Sequence, residues 1–306
     1  MLKQVGKHIE PVNFANPTIL TSVIHEPEQP GIRNLGNSCY QNAVLQCFSN
    51  ILLTIKILPP SATAIQTIFK SFHQSMQSTS KVVTPVKLRQ AFANAHARFD
   101  NKEQQDAHEY FLLLIDTLAS SDRLNPLHAV FNGRFLSSIV CNKCSNANYS
   151  TEIFRCVEVE LPDSEEQCSI LSILQNFSKT EVLSQASNWK CHKCKHSYGS
   201  KSISINHVGD SLAISVKRFL VRNQRITKKN LPVAYSVDEP MRVVGSNFTL
   251  NAAVCHFGNW AGGHYKAIIK TGTGWLECDD HIVKRITSAQ ASSYQQYVYI
   301  FFFTKV

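Results

Sequence analysis

The chain has 306 residues, 43% hydrophobic and 17% charged, a balance that suits a soluble globular protein and argues against a disordered one. No apolar run approaches the ~18–20 residues of a membrane-spanning helix. The formal charge of +9, from 31 basic and 22 acidic residues, is compatible with an acidic partner, a nucleic acid or an anionic membrane surface, but identifies no function alone.

Residues 1–30 show no sustained periodicity and read as a tail or extended lead-in. The start, "MLKQVGKHIEPVNFANPTIL", lacks an apolar h-region, so no secretory signal is expected and an intracellular setting, cytoplasm or nucleus, is. The ten cysteines should then be mostly reduced, and metal binding or catalysis outranks disulfides. By the same reasoning the N-x-S/T triplets at Asn148, Asn176 and Asn247 are poor glycosylation candidates.

In "GIRNLGNSCYQNAVLQCFSN", residues 31–50, a tight polar loop turns into a helix from Ser38, with Val44, Cys47, Phe48, Ile51 and Leu52 on one face. Pro59 and Pro60 should end that segment. "EQQDAHEYFLLLIDTLAS" predicts a second helix, with Ala107, Tyr110, Phe111, Leu114 and Leu118 aligned, so helices dominate to about residue 125. Alternation then takes over. "TEIFRCVEVEL" places Val157, Val159 and Leu161 on one strand face, and "SISI", "SLAISVKRFL", "FTLNAAVCHF", "GHYKAIIK" and "YVYIFFF" read as strands, with a hairpin turn at "KTGTGW". A helical first part and a long, antiparallel-looking second part predict an α+β protein. The densest basic cluster, Arg222, Arg225, Lys228 and Lys229, reads as a solvated loop between strands.

Cys39 sits where the polar loop becomes a helix. A helix N-terminus supplies partial positive charge and free N–H groups, surroundings that suit a thiolate, and loop amides there can approach an oxyanion. Taken alone, Cys39 is equally well a buried, inert thiol. His264, after two glycines, opens a strand, and a lone histidine there is ordinarily structural. Fifteen residues on, "GWLECDD" carries Asp279 and Asp280. A hairpin near "TGTG" would return Asp279 to His264 and supply the orienter of a Cys–His–Asp triad.

"CNKC" (Cys141, Cys144) and "CHKC" (Cys191, Cys194), 46 residues apart, offer four thiolates to a tetrahedral, closed, structural Zn²⁺ site. His192 and His196 are fallback ligands. A nucleic-acid-binding ribbon competes with this reading but lacks interleaved aromatic and basic residues. "HEYFL" fails as a metalloprotease H-E-x-x-H, because Leu112 stands where the second histidine belongs.

"GIRNLGNSCYQNAVLQCFSN" resembles the cysteine box of the ubiquitin-specific proteases, and "GGHYKAI" with "GWLECDDHIV" resembles their histidine box. "EQQDAHEYFLLLID" and "SLAISVKRF" resemble two further elements of that family, in its order. The resemblance implies a papain-like thiol protease with thumb, palm and fingers: a thumb over 31 to about 130, a fingers insertion over about 135–218 bearing a zinc ribbon, and a palm in the remainder of 31–306. It implies Cys39 as nucleophile, His264 as general base, Asp279 as orienter, Asn34 as oxyanion donor and Asp280 as an assisting carboxylate. It further implies that Asp106, Gln105, Gly263 and Tyr265 bind the Gly-Gly tail of ubiquitin. The implied partners are ubiquitin and its conjugates, the implied cofactor is structural zinc alone, and a monomer is expected. Two alternatives stay open: a protease for another Gly-Gly modifier, and a non-catalytic ubiquitin binder.

Overall fold

A computed structural model describes residues 29–57, 61–119, 124–163, 167–222 and 225–306. Residues 1–28, nearly all of the expected tail, and the Pro59–Pro60 stop lie outside the described residues. Five helices lead the fold: α1 (Cys39–Thr54), α2 (Ala64–Ser78), α3 (Val86–Ala95), α4 (Ala107–Ala119) and α5 (Pro126–Phe131).

Helix α1 is buried from Cys39 to Leu52, polar residues included, because it runs between the other helices and a sheet. Buried polar groups must be bonded, and these stitch the helix to its surroundings. Gln46 bonds Gln29 and the Pro30 carbonyl, and Asn50 Nδ2 donates to Asn251 Oδ1 and the Lys270 carbonyl. Phe48 stacks on Phe131 and meets Phe69 edge-on. The helix ends at Thr54, ahead of the expected proline stop, where Lys56 takes a left-handed φ of 56°.

The strands follow in chain order: β1 (Gly133–Cys141), β2 (Ala147–Phe154), β3 (Val157–Glu160) and β4 (Cys168–Ser169); helix α6 (Ile170–Phe177) intervenes. Then come β5 (Glu181–Leu183), β6 (Gly199–His207), β7 (Ser211–Lys217), β8 (Phe219–Arg222), β9 (Arg225–Lys228), β10 (Val233–Ala234) and β11 (Met241–Val243). The last are β12 (Ser246–Gly258), β13 (Gly263–Thr271), β14 (Gly274–Asp279), β15 (Ile282–Ile286), short helix α7 (Ser288–Ser292) and β16 (Val298–Lys305). The main sheet has eight strands, ordered β15-β14-β13-β12-β16-β7-β3, with β11 pairing β12. A separate four-stranded sheet is ordered β2-β1-β6-β5.

Two expectations change. "TEIFRCVEVEL" is not one strand: the chain bends at Arg155 and Cys156, so β2 ends in the four-stranded sheet and β3 starts in the main one. The β half is also not wholly antiparallel, since β3 pairs β7 in parallel. The central strands are covered on both faces, which is why "YVYIFFF" is an unbroken apolar run. Ile300 and Phe302 join the core under the helices, and Phe301 and Phe303 join the core on the opposite face.

Arg218, between β7 and β8, is fully buried with no carboxylate partner among the described residues. Its guanidinium instead donates to the carbonyls of Val298, Lys229, Leu231 and Gln295, tying this bend to the start of β16. Burial lowers its pKa to about 10, which leaves it charged at neutral pH. Each buried acceptor left without a donor costs ~1–3 kcal/mol. Arg218→Leu should therefore lower the unfolding free energy by about 3 kcal/mol or more, read as a drop in urea midpoint at unchanged slope.

Candidate active site and metal centre

The loop ahead of α1 is pinned from two sides. Ile32 N–H donates to the Asp280 carbonyl at 2.7 Å, while Val83 and the loop backbone exchange two bonds of 2.9 Å. Gly31 permits this approach: a Cβ there would lie 2.2 Å from the His281 carbonyl oxygen. Asp280, at φ 50°, accepts from Asn34 Nδ2 on one oxygen and from Asn42 Nδ2 on the other, both at 2.8 Å. Asn34 Oδ1 accepts from the N–H groups of Gly36 and Ser38 and from the Ser38 hydroxyl. That hydroxyl in turn accepts from Leu35 N–H, so it does not cap α1. Cys39 is thus the first residue of a helix whose opening turn has no side-chain cap, and it is only 4% exposed.

The β13–β14 hairpin brings Asp279 back as the sequence predicts, turning at Gly272–Thr273. His264 Nε2 lies 2.6 Å from Asp279 Oδ1. The Cys39 thiol and then the bond to Asp279 raise the His264 pKa to about 9 against the effect of burial. Asp279 Oδ2 receives Lys266 Nζ at 2.9 Å. Against the cost of burial, Lys266 and His264 hold the Asp279 carboxyl below its ordinary value.

The four expected tail-binding residues differ in position. Asp106 accepts from Glu109 N–H, capping α4, and from the Tyr299 hydroxyl at 2.6 Å. Tyr265 is buried with its ring 4.6 Å from that of His256. Gly263 is required where it stands, because a Cβ would meet His256 Nε2 and the Phe257 carbonyl at 2.3 Å. Gln105 bonds back to Asn101 and Arg98. A groove of about 330 Å³ runs past Gln104, Asp106, Phe219, Trp260 and Tyr265.

Three residues at the site were not foreseen. Gln104 bonds both the N–H and the carbonyl of Gly263, at 3.0 and 2.9 Å, bridging the helical part to β13. Asn42 binds Asp280, and Lys266 binds Asp279. The only signal for Lys266 is its place two residues after His264, on the same strand face.

Cys141, Cys144, Cys191 and Cys194 converge, with all four sulfurs within 4.8 Å of one another. The Cys141–Cys194 and Cys144–Cys191 sulfurs are 3.6 and 3.7 Å apart. A tetrahedron with Zn–S bonds of ~2.3 Å sets its sulfurs ~3.8 Å apart, so the cluster fits zinc without rearrangement. Both knuckles close alike: Ser145 N–H returns to the Cys141 carbonyl and Lys195 N–H to that of Cys191, each from a left-handed residue. His192 and His196 are outside the cluster.

A helical layer bearing Cys39, packed on a sheet bearing His264 and Asp279, with a cysteine-tipped ribbon in a second sheet, is the papain-like thumb–palm–fingers architecture. The chain belongs to the ubiquitin carboxyl-terminal hydrolase family, whose model matches residues 30–303. It is 28% identical over 306 residues to ubiquitin carboxyl-terminal hydrolase Usp2 of Drosophila melanogaster, covering 83% of this chain and 32% of that protein. It is 23% identical to ubiquitin carboxyl-terminal hydrolase 23 of Arabidopsis thaliana, covering 94% and 37%. It is 27% identical to ubiquitin carboxyl-terminal hydrolase 12 of Salmo salar, covering 85% and 82%. The chain thus spans about a third of the length of the first two relatives. In fold it is similar to the SAGA DUB module Ubp8/Sgf11/Sus1/Sgf73 bound to monoubiquitin, with a TM-score of 0.73 at 20% identity over 90% of this chain and 69% of that one. The same module with ubiquitin aldehyde gives 0.73 at 21% identity over 94% and 72%. Among the described residues no helix is long and apolar enough to cross a membrane.

Elemental analysis of the purified protein should find one zinc per chain. Cys141→Ser with Cys191→Ser should lose that zinc and lower the melting temperature, since structural zinc contributes directly to folding. Zinc-free wild type, or full zinc in the double variant, would refute the assignment.

Proposed function

We propose that the chain is a thiol-dependent deubiquitinase that hydrolyses isopeptide and peptide bonds after the C-terminal glycine of ubiquitin. The observation that carries this reading is His264 Nε2, held 2.6 Å from Asp279 Oδ1, with the Cys39 thiol near enough to raise the His264 pKa. Family membership supports it, as do fold relatives bound to ubiquitin. On this reading residues 31 to about 130 form the thumb, about 135–218 the fingers insertion, with β3 and β7 returning to the palm sheet, and the rest of 31–306 the palm.

Cys39 Sγ attacks the carbonyl carbon of the terminal glycine, and the His264 imidazolium gives its proton to the departing lysine amine. The thioester remains. His264, now neutral, takes a proton from water, the hydroxide attacks the thioester, and the proton passes to the leaving thiolate. The second Nδ2 proton of Asn34, beyond the one spent on Asp280, and the open first-turn amides of α1 serve the oxyanion. Bound zinc would be held by Cys141, Cys144, Cys191 and Cys194 and would brace the ribbon.

Fluorogenic ubiquitin should be cleaved by wild type, and Cys39→Ala should lower the rate by at least ~10³-fold. Cleavage that survives Cys39→Ala, or an equal rate on every Gly-Gly modifier, would overturn the reading. The pH dependence follows from His264. Its pKa is raised, so its ion-pair contribution to stability is full below the ordinary imidazole value and is lost as pH rises through about 9. Activity on isopeptide substrates, which needs the imidazolium, should fall over that same alkaline range. Asp279→Asn removes one of the bonds that raise this pKa and should move the alkaline limb to lower pH.

A further inference from the structure

Lys266 lies across the β13–β14 pair from Asp279 when the register Ala267↔Cys278 is continued by one residue. Its ammonium sits between two carboxylates, 2.9 Å from Asp279 Oδ2 and 3.5 Å from Glu277 Oε1. It also lies 5.4 Å above the centre of the Phe257 ring. The side chain is 22% exposed, so it is a fixed and partly desolvated ion rather than a solvated surface charge. Glu277 is more deeply buried, at 14%, and receives the Tyr294 hydroxyl.

Two carboxylates on one face of one strand repel, and partial burial strengthens that repulsion. A carboxylate can also rotate about its terminal bond, because this sp³–sp² torsion is broad. Asp279 therefore needs something on Oδ2 if Oδ1 is to stay aimed at His264. The groups facing it are His264 and Lys266 from β13, Glu277 on its own strand and Asp280 beside it. Across β15, Lys284 stands opposite Glu277, and Ile282 stands opposite Asp279. With the His264 imidazolium on Oδ1, Lys266 is the cation placed on Oδ2 of Asp279.

We propose that Lys266 is a positioning residue for the candidate reaction: by clamping Asp279 Oδ2 and separating Asp279 from Glu277, it keeps Oδ1 on His264 Nε2. The ammonium touches no substrate and transfers no proton. Its catalytic consequence rests on the deubiquitinase reading above, whereas the clamp itself does not. The lowered Asp279 pKa, in which Lys266 is the leading favourable contributor, agrees with the geometry.

The test uses the whole chain as wild type, Lys266→Met, Lys266→Arg and Lys266→Met/Glu277→Gln, each checked for an unchanged melting temperature. First, the Asp279 carboxyl is titrated by carbon-13 NMR, without reference to activity. Its midpoint should move up in Lys266→Met and stay near wild type in Lys266→Arg. Removing the second carboxylate in the double variant should return it part of the way. Second, kcat and KM are measured on fluorogenic ubiquitin against pH. Lys266→Met should lower kcat roughly tenfold with little change in KM, short of the ~10²-fold that a 1 Å misplacement of reacting groups can cost. Its acid limb should move to higher pH, and Lys266→Arg should restore most of the rate. An unmoved Asp279 midpoint in Lys266→Met overturns the clamp. A moved midpoint with unchanged kcat and acid limb overturns the positioning role. A wild type inert toward ubiquitin overturns the functional reading and the catalytic consequence, while the titration still decides the clamp.

Discussion

The Asp280 carboxylate joins two pieces of chain nearly 250 residues apart, and the geometry of the candidate site depends on that junction. One oxygen takes Asn34 from the loop before α1, the other takes Asn42 from the first turns of α1, and the Asp280 carbonyl takes Ile32 N–H. Asp279 is the preceding residue. The bonds that fix where α1 begins, and hence where Cys39 lies, are therefore one peptide unit from the carboxylate that fixes His264. The left-handed φ of Asp280 turns its side chain back toward the loop while Asp279 continues the strand.

Around this junction the charges are arranged so that few are uncompensated. Lys266 lies among Glu277 and Asp279, and His264 is held by Asp279. The net charge of +9 contributes little to this arrangement, because its local sign is set by short contacts. Even the basic cluster read as a solvated loop is partly committed. Lys228 donates to the His256 and Gly258 carbonyls, and burial lowers its pKa to about 8. Lys228 thereby braces the end of β12 just ahead of the glycines that lead into His264.

What was legible in the sequence was what depends on local pattern. α1 and α4 were readable from apolar spacing, and the hairpin that returns Asp279 was readable from two strands around "TGTG". Helix α2 was equally readable but went unnamed: Phe69, Phe72 and Met76 are buried at helical spacing behind a Thr63–Gln66 capping box. The break at Arg155 was hidden, because alternation continues across it and no glycine or proline marks the change of sheet. Lateral contacts were hidden as well. Gln104, Lys266 and Asn42 take their roles from partners on other elements, and spacing along one chain does not encode which element lies across the cleft. Asp106 shows the converse. Besides the tail-binding role expected of it, its two oxygens cap α4 and hold Tyr299, roles its place in the sequence does not announce.

Access to Cys39 sets the final constraint. Cys39 is only 4% exposed, and β13 packs against α1 beside it. Gly263 cannot carry a Cβ because His256 and Phe257 close behind it, and Gln104 fixes both polar groups of its backbone. Tyr265 and Trp260 line the neighbouring groove. On the proposed reading, selection for a glycine terminus follows from a channel built of close backbone approach. On the same reading, the His264 side chain, 38% exposed, is open to a leaving amine.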